Sequence, residues 1–100
     1  MKKTYFLSYQ SSLGTHEEVS GFVDSCELII TWRKELPSLI FLVSEASAVD
    51  ICMKIDDHFG EDKGIYLVAH IGDDSEGRLS PRSWSIINHQ KLPPKENASP

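Results

Sequence analysis

The sequence predicts an α+β domain in which a β-α-β-β-α-β run forms an antiparallel sheet with two helices on one face. Three observations predict it. Two segments repeat apolar residues at helical spacing: Val19, Phe22, Val23 and Cys26, then Ala48, Ile51, Cys52, Ile55 and Phe59. Four short segments rich in β-branched, aromatic and aliphatic residues flank those stripes. One of the four, residues 39–43 (L-I-F-L-V), is apolar at every position, as a central strand covered on both faces must be. The 100 residues, 40% of them hydrophobic, suit one domain with a modest core and leave no room for separate catalytic and cofactor domains.

Residues 4–9 (T-Y-F-L-S-Y) read as the first strand, with Tyr5, Leu7 and Tyr9 on one face and Phe6 and Ser8 on the other. Thr15 and Glu18 have capping-box spacing at the start of the first helix. Gly21 weakens that helix and suggests close packing on the sheet. Residues 28–32 (L-I-I-T-W) read as the second strand, and 33–38, with Pro37, as a polar connection to the third. Ser47, three residues before Asp50, is an N-cap for the second helix. Gly60 is placed to end that helix in a left-handed conformation. The expected solvent face carries Asp50, Lys54, Asp57 and His58. Residues 65–71 (I-Y-L-V-A-H-I) form the fourth strand, followed by the acidic loop from Asp73 to Glu76. Pro81 opens a short third helix, whose Trp84, Ile86 and Ile87 are expected to cover a sheet edge or meet another subunit. The element order is that of the ferredoxin-like split βαβ arrangement. Residues 1–90 make one such domain, and 91–100 a polar, proline-bearing tail expected to be disordered.

Charge and cysteine usage narrow the function classes. Fifteen acidic against ten basic residues give a net charge of −5, which does not favour nucleic-acid binding by bulk electrostatics. Met1-Lys2-Lys3 resembles a signal-peptide start, yet only Tyr5-Phe6-Leu7 follow it, where a secretory core needs roughly 7–15 apolar residues. No stretch approaches the ~20 apolar residues of a membrane span, so no membrane partner is expected. Cys26 and Cys52 lack C-x-x-C spacing, which points to a reduced, cytoplasmic protein. Asn97-Ala98-Ser99 matches a glycosylation sequon in the tail.

Candidate chemistry is thin. With Gly77 as the glycine of a calcium loop, the first and last ligand positions fall on Gly72 and Ser83, so Asp73, Asp74 and Glu76 read as a solvated loop. Asp56, Asp57, Glu61 and Asp62 cluster around the end of the second helix, on the unfavourable side of its dipole, and read as surface charge. No two of His16, His58, His70 and His89 have zinc-pair spacing. His70 shares a strand face with Tyr66 and, with a first-strand tyrosine, defines one acid–base candidate. Cys26 and Cys52 lie on apolar stripes, as buried thiols do. Arg78 and Arg82 flank Ser80-Pro81 ahead of Trp84, a local phosphate or RNA contact candidate. No phosphate-binding glycine loop and no Gly-x-Ser-x-Gly motif is present, and no cofactor is expected.

From Lys3 to about Ile71 the chain resembles the SinR-like family, relatives of the small CRISPR adaptation subunit that include metal-dependent endoribonucleases. The resemblance rests on several features. They are the strand end Leu7-Ser8-Tyr9-Gln10, Trp32 after the first helix, the apolar strand 39–43, Ser44 with Ala46-Ser47-Ala48, and the acidic Glu61-Asp62 turn. It implies a homodimer and a metal-binding aspartate directly after the tyrosine that ends strand one. This chain has Gln10 there, and a neutral amide is a poor Mg²⁺ ligand and no base. The expectation is a small non-catalytic binding module, a homodimer acting through an unknown macromolecular partner. Its interface candidates are Trp84, Ile86, Ile87, Tyr66 and His70. Two alternatives stand beside it: a metal-dependent nuclease of the CRISPR-subunit or toxin type, and an acidic inhibitor or antitoxin that docks a basic partner.

Overall fold

The computed structural model describes residues 1–91. The remaining residues, 92–100, hold nearly all of the expected disordered tail and the Asn97 sequon; both lie outside the described residues. The elements are β1 (Lys3–Tyr9), α1 (His16–Ser25), β2 (Ile29–Lys34), β3 (Leu39–Ser44), α2 (Ala48–Phe59), β4 (Tyr66–His70) and α3 (Pro81–His89). The strands form one antiparallel sheet in the order β2-β3-β1-β4, an α+β fold in the ferredoxin-like order.

Both long helices start as their sequence dictates. The Thr15 hydroxyl accepts from the Glu18 amide at 3.1 Å, and the Glu18 carboxylate accepts from the Thr15 amide at 2.8 Å. Ser47 accepts from the Asp50 amide at 3.1 Å. Val19, Phe22 and Val23 of α1 and Ile51 and Ile55 of α2 are buried on the sheet with Tyr5, Leu7 and Tyr9 of β1 and Ile40 and Leu42 of β3. Gly60 does end α2 with a positive φ of 113°, but its ψ of 142° is extended, not the expected left-handed helical turn.

The strand ends differ from expectation where pairing overrides composition. β2 runs on through Arg33 and Lys34 because these pair with Phe41 and Ile40, shortening the expected connection. The β2–β3 register shifts between Ile29 and Thr31, a bulge at the outer edge of the sheet.

α3 lies on the face opposite α1 and α2. Side chains alternate along a strand, so Phe41 and Val43 point away from the first core, and Ile86 packs on them. Ile86 is wholly buried, and the buried Thr4 hydroxyl donates to its carbonyl at 3.1 Å. This corrects the expectation that Ile86 covers an edge or meets another subunit: its own chain already occupies it.

Two glycines behave oppositely. A Cβ on Gly21 would meet nothing within 4 Å, so that glycine marks open solvent, not the close packing its sequence position suggested. A Cβ on Gly64 would lie 2.5 Å from the Ser12 carbonyl carbon and 2.6 Å from Leu13 Cα, a backbone approach that only glycine allows. Gly21→Ala should raise stability by up to ~1 kcal/mol through helix propensity. Gly64→Ala should cost more than ~2 kcal/mol, because the backbone must shift. Urea unfolding of the two variants beside the parent chain checks both signs.

Candidate functional site

Placing α3 on the second face creates a groove. Phe6 and Phe41 are direct cross-strand partners on β1 and β3 and form its floor. Ile71 and Leu79 bound it where β4 runs into the loop before α3, and Trp84 and Ile87 form the α3 wall. The cavity holds about 460 Å³. Asp74, Glu76 and Arg78 sit exposed on its rim, two carboxylates and one guanidinium.

A polar latch fixes the α3 wall. Arg33 and Glu35 lie two residues apart at the end of β2, spacing that sends both side chains to the α3 side. The buried Ser83 hydroxyl donates to Glu35 Oε1 and accepts from Arg33 Nε at 3.0 Å. Arg33 also donates to the Ser80 hydroxyl at 3.2 Å, which itself donates to Glu35 at 2.9 Å. The Ser80 amide, at the N-cap of α3, donates to both Glu35 carboxylate oxygens at 3.1 and 3.0 Å. Hydrogen bonds from Ser83 and from the Ser80 amide hold the Glu35 carboxyl below the ordinary carboxylate range, with Arg33 adding a smaller pull. Nothing local to the polar residues 33–38 announces this latch, because its partners lie 45 to 50 residues apart.

The other candidates disperse. Trp84 and Ile87 line the groove, and His70 borders it at the end of β4. Tyr66 lies on the α1–α2 face of the sheet, where its hydroxyl donates to Asp56 Oδ1 at 2.8 Å and lies 3.3 Å from the Cys52 carbonyl. Burial and the Asp56 bond push its phenol strongly upward. The His70 ring meets Tyr5 edge-on at 5.9 Å, while the Tyr5 hydroxyl donates to the Ala46 carbonyl at 2.7 Å. The expected acid–base trio of His70, Tyr66 and a first-strand tyrosine is therefore not assembled: each hydroxyl is committed elsewhere. A pairing that the sequence did not announce is Tyr9 with His16, hydroxyl to Nδ1 at 2.9 Å, beside the exposed Gln10.

Arg78 lines the groove, whereas Arg82 lines a separate cavity with Trp32 and Lys34 at the β2 edge, so the two do not converge on one phosphate. Cys26 and Cys52 are free thiols, half-buried against the first core. Among the described residues no group of three or more His, Cys, Asp and Glu side chains is placed to hold a metal ion, and no helix is long and apolar enough to cross a membrane. Comparison with known protein families, with curated proteins and with solved structures finds no match to this chain.

The latch makes α3 docking sensitive to acid. A carboxyl depressed in the folded state contributes stability above its unfolded value, and that contribution fades as pH falls through the folded value. Acidification below about pH 4.3, the ordinary glutamate value, should loosen α3 before the rest of the domain melts. Hydrogen exchange at α3 amides should show this in the parent chain. In Glu35→Ala, α3 should exchange faster already at neutral pH and lose most of the acid dependence.

Proposed function

We propose that this chain is a small cytoplasmic binding module, a homodimer that acts by docking a partner protein rather than by chemistry at its own side chains. The groove between α3 and the acidic loop carries this reading: an open, aromatic-floored cavity of about 460 Å³ with two carboxylates on its rim. The occupant that suits it is a segment presenting an apolar side chain flanked by lysine or arginine. The apolar group supplies buried area, and the rim supplies orientation and faster encounter. The net charge of −5 acts in the same direction at long range. Gln10 fits a non-catalytic role, since its amide can neither neutralise a divalent cation nor accept a proton. The free Cys26 and Cys52 suit a reducing compartment.

The test is a titration with short fluorescent peptides carrying a central Leu or Phe between Lys or Arg residues, against neutral and acidic versions. Basic peptides should bind best, and more weakly as salt rises. Trp84→Ala should weaken them about tenfold, as loss of an aromatic anchor does. The Asp74→Asn, Glu76→Gln pair should remove most of the salt dependence. Equal binding of acidic peptides would overturn the reading. So would cleavage of RNA or DNA in Mg²⁺ or Mn²⁺ that a chelator abolishes, which would restore the nuclease alternative.

A further inference from the structure

Among the described residues β4 is an edge strand whose outward backbone groups have no partner. The Ile71 amide donates to the Thr4 carbonyl at 2.8 Å, and the Gln10 amide donates to the Ile65 carbonyl at 3.0 Å. Antiparallel pairs alternate, so Ile65, Leu67, Ala69 and Ile71 turn their N–H and C=O groups toward β1. Tyr66, Val68 and His70 turn theirs outward, where no other described backbone group meets them. The same segment carries exposed apolar surface: Leu67 is 57% and Ile65 64% accessible. Between Ile65 and Gly72 there is no Asp, Glu, Lys or Arg, so neither of the usual charged guards of an open edge is present.

We infer that β4 pairs antiparallel with β4 of a second copy of this chain about a two-fold axis at Val68. This rests on the homodimer reading above and names its interface. The register follows from which groups are free. Val68 meets its own mate, and Tyr66 meets His70 of the second copy, as hydrogen-bonded pairs that exchange two bonds each. Leu67 then lies beside Ala69 of the second copy and diagonal to its Leu67, and Ile65 lies beside Ile71. The two exposed side chains are buried by the symmetry operation that satisfies the backbone. Because residues 65–72 carry no formal charge, the paired strands themselves bring no like charges together. The product is one eight-stranded sheet with the two grooves left open on the α3 side.

Sedimentation velocity on the full chain, from low micromolar to on the order of 100 μM, should show a reversible monomer–dimer equilibrium. Leu67→Lys, an exposed position, should leave the circular dichroism spectrum unchanged and shift the chain to monomer at least tenfold in concentration. Ile30→Lys, at the opposite edge and 50% accessible, should leave the dimer intact. Hydrogen exchange gives a readout without substitutions: the Tyr66, Val68 and His70 amides should slow as concentration rises, and β2 amides should not. A parent chain that stays monomeric would overturn both this interface and the homodimer reading. A dimer indifferent to Leu67→Lys, with unprotected β4 amides, would overturn the interface alone. Neither result would bear on peptide docking in the groove.

Discussion

Strand β3 carries apolar side chains on both of its faces, and the rest of the structure answers to the need to bury both. Ile40 and Leu42 are covered by α1 and α2, the arrangement expected of two helices on a four-stranded sheet. Phe41 and Val43 point the other way, and leaving them in water would forfeit roughly 1.5–3 kcal/mol each. A two-layer domain would leave that second face wet. α3 supplies a third layer over part of it, and the part it leaves uncovered is the groove. Fold stability and the candidate binding surface thus share an origin in one five-residue apolar run.

The polar groups caught beneath α3 turn a hydrophobic cover into an oriented one. Ser83 is fully buried, and its hydroxyl both accepts from Arg33 and donates to Glu35. Thr4 closes the other end of α3 through the Ile86 carbonyl, and Gln90 just beyond the helix donates to the Lys2 carbonyl at 2.8 Å. Among the described residues no buried side-chain polar atom lacks a partner. Hydrophobic contact alone would let α3 slide or rotate, whereas directional bonds at both ends would be lost if it did. A groove wall held this firmly has little conformational freedom left to lose.

Local rules made the two long helices legible. The Thr15–Glu18 box, the Ser47 cap and the apolar stripes act within one or two turns, so a single segment contains its own explanation. The double-faced strand was equally plain, since alternation failed over 39–43. What escaped was anything needing two distant segments at once. A nine-residue helix with Ile86 and Ile87 announces an apolar side, not the surface that receives it. The meeting of Glu35 with Ser80, and of Gly64 with Leu13, depends on tertiary placement. Strand parity sets the face of Tyr66 but carries no sign of Asp56, which its hydroxyl meets from α2. The site suffered more than the fold because a groove between layers is long-range by construction.

The two borders of the sheet are not equivalent, and this asymmetry sets a limit on growth. β2 is distorted by its bulge and bears the cationic side chains of Arg33 and Lys34, features that discourage a further strand from adding there. β4 is regular and uncharged. A chain with two receptive borders polymerises, whereas a chain with one can only find a single mate and then has none left to offer. The bulge between Ile29 and Thr31 therefore does more than bend a strand: it makes any assembly of this domain through its sheet finite, with the blunt borders facing outward.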